Sequence, residues 1–176
     1  MKYESIDRLM SDTPYNPPWL INDMIAQGSM LVLAGEAGIG KSTFMYTLSL
    51  CVATGLPFLG HPTTKAHVIY CDEENAIPDY MGYWQQIWHG LGCPDKRLLA
   101  ERLHFASFQL GDEDWLVNLR GAVKELPPEE PSLLVIDTAT PALNIKDEDK
   151  NAEASQVIRR LQSLQANRNL TVIVLK

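Results

Sequence analysis

Apolar positions in this chain come in short unbroken runs separated by longer stretches of mixed character. Five runs stand out: Met30-Leu31-Val32-Leu33-Ala34, Ala66-His67-Val68-Ile69-Tyr70-Cys71, Leu103-His104-Phe105-Ala106-Ser107-Phe108, Ser132-Leu133-Leu134-Val135-Ile136-Asp137-Thr138 and Thr171-Val172-Ile173-Val174-Leu175. Runs with little polar alternation predict strands buried on both faces. The stretches between them carry helical spacing. Phe44 to Val52 is apolar enough for a buried helix. Pro78 to His89 places Tyr80, Tyr83, Trp84, Ile87 and Trp88 on one face, and Gly90 ends it. Asp112-Glu113-Asp114 sets acids at a helix start, where the backbone dipole favours them. Trp115, Leu116, Leu119, Val123 and Leu126 make that helix's buried face, and Pro127-Pro128 stops it. Ala152 to Asn169 is amphipathic, with Val157, Leu161 and Leu164 together. Strand and helix alternate throughout, so the expected fold is α/β: a mainly parallel sheet with helices on both faces.

The N-terminal stretch reads differently. Pro14, Pro17 and Pro18 predict extended chain for residues 1–29, packing on a core that runs from 30 to 176. Trp19, Leu20, Ile21 and Ile25 are the residues expected to meet the base of the first strand.

Composition narrows the class. A chain of 176 residues with 45% hydrophobic and 21% charged residues is expected to form one globular domain. No apolar run approaches the ~20 residues that span a bilayer. The N-terminus, with Glu4, Asp7 and Asp12, has no apolar signal core, so a cytoplasmic location is expected. Cys51, Cys71 and Cys93 are odd in number and far apart, which reads as reduced thiols. His89 and Cys93 are separated by Gly90 and Gly92, which argues against a shared metal. The net charge of −7 argues against a broad basic surface, but not against nucleic acid, since a ring can line a narrow channel with few basic residues.

The strongest chemical signal lies between the first strand and the first helix. Gly35-Glu36-Ala37-Gly38-Ile39-Gly40-Lys41-Ser42-Thr43 fits G-x-x-x-x-G-K-[ST] at every fixed position. Strand, glycine-rich turn and helix together form a phosphate cradle: backbone N–H groups point inward and the helix N-terminus adds partial positive charge. Lys41 supplies a full charge to the β- and γ-phosphates, and the Ser42 hydroxyl suits Mg²⁺. The second strand runs into Asp72-Glu73-Glu74-Asn75, and the strand at 132–138 ends in Asp137. In open α/β sheets sites form at such strand ends, and an acid placed as Asp137 is orients the water shell of Mg²⁺.

With Gly35–Thr43, Tyr70-Cys71-Asp72-Glu73-Glu74-Asn75-Ala76, Leu133-Leu134-Val135-Ile136-Asp137-Thr138 and the approach Pro18-Trp19-Leu20-Ile21, the chain resembles the RecA-like ATPases. Within them it is similar to the RepA-type hexameric replicative helicases and AAA-type relatives of plasmids and phages. The resemblance implies a nucleotide site for ATP and Mg²⁺, held by Lys41, Ser42 and Thr43 with Asp137 as the second-motif acid. It implies a glutamate that polarises the attacking water, matching Glu74, with Glu73 as the neighbouring alternative. It further implies a homo-oligomeric ring, a hexamer, acting on single-stranded DNA. In that family a polar sensor, a DNA-facing loop and a trans-acting arginine follow the fifth strand. Lys176 stands at about the sensor's position, so the chain is expected to be a core incomplete at its C-terminus. The alternatives are a regulatory ATPase that does not unwind, and a nucleotide-gated assembly module with little hydrolysis.

Overall fold

The computed structural model describes residues 5–7, 17–72, 77–106, 114–137, 151–165 and 169–176. Among these, five strands form one parallel sheet. They are β3 (Met30–Leu33), β4 (His67–Asp72), β5 (Leu103–Ala106), β6 (Ser132–Asp137) and β7 (Leu170–Leu175), preceded by the two short strands β1 (Trp19–Ile21) and β2 (Ile25–Ala26). The helices are α1 (Lys41–Thr54), α2 (Ile77–Gly90), α3 (Lys96–Arg102), α4 (Trp115–Glu125) and α5 (Asn151–Gln165). The sheet order is β3-β7-β6-β4-β5, with every pair parallel.

β4, β6 and β7 are buried along their whole length, as runs apolar at every position require. Alternate residues feed two separate cores. Val68, Tyr70, Leu133, Val135, Ile173 and Leu175 pack with α1, with Trp84 of α2 and with the β1–β2 ribbon. Ile69, Cys71, Leu134, Ile136, Val172 and Val174 pack with Trp115, Leu119 and Val123 of α4 and Leu161 and Leu164 of α5. The helix after β3 therefore covers one face of the sheet, and the helix after β6 covers the other. Only β7 lies between those two strands. This is the crevice at the carboxyl ends of the strands where open α/β sheets bind ligands.

Residues 17–29, expected as extended chain, include an antiparallel ribbon. β1 pairs with β2 and buries Leu20, Ile21 and Ile25 under α1. The face of α2 is narrower than its aromatic spacing suggested. Trp84 is buried and Ile87 and Trp88 are partly so, but Tyr83 is 50% exposed. A helix resting on another helix and a strand buries about a third of its circumference, and Tyr83 falls outside that arc. The side chain of Tyr80 is outside the described residues, as are Asp112 and Glu113. Asp114 stands at the N-cap of α4, and its side chain makes no capping hydrogen bond.

The helix α3 was not anticipated. Its signal was present: Asp95 accepts a hydrogen bond from the Arg97 amide at 2.8 Å, ahead of a run of good helix formers. Among the described residues none of the three cysteines forms a disulfide. Burial pushes the Cys51 thiol up to about 11, which keeps it protonated and unreactive. No helix among them is long and apolar enough to cross a membrane.

Candidate functional site

The phosphate-type loop hangs between β3 and α1 at the open edge of the crevice. Residues 34–40 are exposed. Gly38 and Gly40 hold φ of 80° and 94°, a left-handed backbone that side chains resist. Gly40 is the N-cap of α1 and offers no side chain to its first amides. Among the described residues, residues 37–38 form a turn, and the amides of Glu36, Ala37, Gly38 and Gly40 have no acceptor. A cluster of free N–H groups before a helix N-terminus is a preformed anion site.

Lys41 completes it. Its ammonium donates to the carbonyls of Gly35 at 2.8 Å and Glu36 at 3.0 Å, so the charge is folded over the loop rather than extended into solvent. The end of β7 buttresses the same loop: the Gly35 amide donates to the Lys176 carbonyl at 3.0 Å, and the Lys176 amide donates to the Leu33 carbonyl at 2.9 Å. The Ser42 hydroxyl, partly buried in the first turn of α1, makes no hydrogen bond among the described residues. Thr43 is exposed beside it.

The acids sit two and three strands away from β3, at the ends of β6 and β4. Asp137 closes β6 and is fully buried. Two strand spacings across β7, about 10 Å, separate β6 from β3. Asp72 closes β4 and is the direct register partner of Asp137. The sequence marks Asp72 as part of the acidic strand end but gives it no role of its own, because register with another strand is invisible in a linear chain. Both acids are met by tyrosines. Tyr46 of α1 donates to Asp72 Oδ2 at 2.5 Å, and Tyr70 of β4 donates to Asp137 Oδ2 at 2.7 Å. Burial, reinforced by the Asp137 charge, holds the Tyr70 phenol well above its ordinary range, so it donates and does not ionise. Sequence reasoning missed both tyrosines; in apolar runs they read as core.

Glu73 and Glu74, expected to polarise water, lie outside the described residues, as does the loop that follows Asp137. α2 ends at Gly90, yet Cys93 Sγ comes within 3.3 Å of His89 Nδ1. No group of three or more metal-capable side chains occurs among the described residues.

The residues present fit a nucleotide triphosphate with a divalent cation. Free amides and an ammonium match phosphate oxygens, and the Ser42 hydroxyl and Asp137 carboxylate are oxygen donors of the kind Mg²⁺ takes. A family model described as an AAA domain matches residues 2–176. No curated protein matches the chain.

Proposed function

The chain belongs to the AAA domain family, and from that premise we propose that it is a Mg-dependent ATPase whose turnover drives translocation on single-stranded DNA, in the manner of RepA-type replicative helicases. The observation that carries the nucleotide reading is the loop itself. Its amides and the Lys41 ammonium converge on one exposed turn at the N-terminus of α1, the donor set that phosphate oxygens require.

In this reading the loop amides and Lys41 grip the β- and γ-phosphates. Ser42 and Asp137 would hold Mg²⁺, which would supply neutralisation of phosphate charge. Glu74, or Glu73 beside it, takes the proton of the attacking water. A ring of identical subunits, a hexamer, places each site against a neighbour, whose arginine supplies transition-state charge. A regulatory ATPase that does not unwind is favoured by one observation, the net charge of −7, which gives phosphates of DNA little to bind.

Calorimetry with Mg-ATP on the wild-type chain and Lys41→Ala tests the site, and unchanged affinity in the variant would place it elsewhere. ATP turnover and light-scattering mass, each with and without single-stranded DNA, separate the two functions. Stimulation of turnover by DNA together with ring formation supports translocation, and indifference to DNA leaves the regulatory enzyme.

A further inference from the structure

Tyr46 and Tyr70 connect parts of the site that the chain itself keeps apart. Tyr46 follows Lys41 by five residues on α1, about 7.5 Å along the axis. Its ring lies 5.1 Å from that of Tyr70, and both pack on Trp84, at 4.7 and 5.4 Å. Trp84 in turn rests on Phe105 at 5.1 Å. This aromatic block is buried at Tyr46, Tyr70 and Trp84. From it, two hydroxyls reach the ends of adjacent strands, one to Asp72 and one to Asp137.

A phenol O–H donating to a carboxylate oxygen makes a short hydrogen bond with a preferred direction. Each bond therefore fixes the rotamer of its aspartate. Asp72 is the last residue of β4, and Glu73 and Glu74 follow it in the chain. The rigid block carries that constraint to α1, whose first turn bears Lys41 and Ser42.

We infer that Tyr46 and Tyr70 are positioning residues, which lock the phosphate-loop helix to the two acidic strand ends so that loop and acids hold one geometry during hydrolysis. The inference rests on the ATPase reading. Neither tyrosine belongs to the loop that binds phosphate, so turnover should depend on the hydroxyls and nucleotide affinity should not.

The test uses Tyr46→Phe and Tyr70→Phe in the full chain, since each keeps the ring and removes only the hydroxyl. Mg-ATP affinity would be measured by calorimetry, turnover by phosphate release, and the coupling by the nucleotide-induced change in tryptophan emission, assigned to Trp84 by its loss in Trp84→Phe. Affinity should stay within about threefold of wild type, while kcat falls at least about tenfold with KM little changed, as expected for a group that acts on geometry alone. The emission response should shrink in both variants. Wild-type kcat and wild-type emission response in both would overturn the inference, as would parallel losses of affinity and melting temperature, which would mark the hydroxyls as supports of the fold. A wild-type chain that does not bind Mg-ATP would instead remove the ATPase reading, a failure seen before any variant is compared.

Discussion

Gly40→Ala is the most direct probe of whether the loop geometry is what binds nucleotide. Gly40 sits at φ 94° as the N-cap of α1. A Cβ built there meets nothing within 4 Å, so the substitution introduces no clash. Its whole effect is on the backbone, where a side chain in the left-handed region costs about 1–2 kcal/mol. If the loop keeps its shape, that cost appears as lost stability, about 2–8 °C in melting temperature for a chain of this size. If the loop relaxes, the strain is relieved and at least one amide turns away from the phosphates. A hydrogen bond to a charged group is worth about 1.5–3 kcal/mol, so affinity for Mg-ATP would fall about 10- to 150-fold. The control is Gly28→Ala. Gly28 has φ 73° and equally open space, but it lies at the opposite end of β3. It should lose similar stability and no affinity. Scanning calorimetry and titration calorimetry on both variants separate the two costs. A Gly40→Ala protein that melts within a degree or so of wild type and binds Mg-ATP equally well would refute the reasoning.

Glu74→Gln should leave Mg-ATP affinity intact and lower turnover by about 10²–10⁴, the usual worth of a general base; the same loss from Glu73→Gln, with Glu74→Gln silent, would move the role by one residue. Stability should fall as pH drops below about 6.5. His67 is buried, and burial first and the Arg102 charge second lower its pKa, although Glu130, 3.5 Å away, partly opposes them. The folded state thus keeps His67 neutral while the unfolded chain takes up a proton. The stabilisation is complete above the unfolded value and is lost as pH falls towards the depressed folded one. Melting temperature followed from about pH 7.5 to 5.5 should show this slope in wild type and a flatter one in His67→Gln; identical slopes would remove His67 as the cause.

Much of this protein was legible in the chain because much of it is local. Residues at 132–137 and 171–175 are apolar at nearly every position, and such runs have few outcomes other than doubly covered strands. The motif at 35–43 defines its own loop, since glycines, lysine and helix start lie within nine residues of one another. A helix stop at Gly90 and the strand-end position of Asp137 follow from the same short-range rules. The tertiary structure decided what depends on distant partners. Nothing near Leu170 says that β7 inserts between β3 and β6, because strand order is set by which faces the crossing helices must cover. The pairing of Asp72 with Asp137 follows from that order and register, and not from either residue's neighbours. Tyr46 and Tyr70 carry no sequence mark at all. An apolar run tolerates a tyrosine wherever the hydroxyl finds an acceptor, and only the folded sheet brought a carboxylate to each.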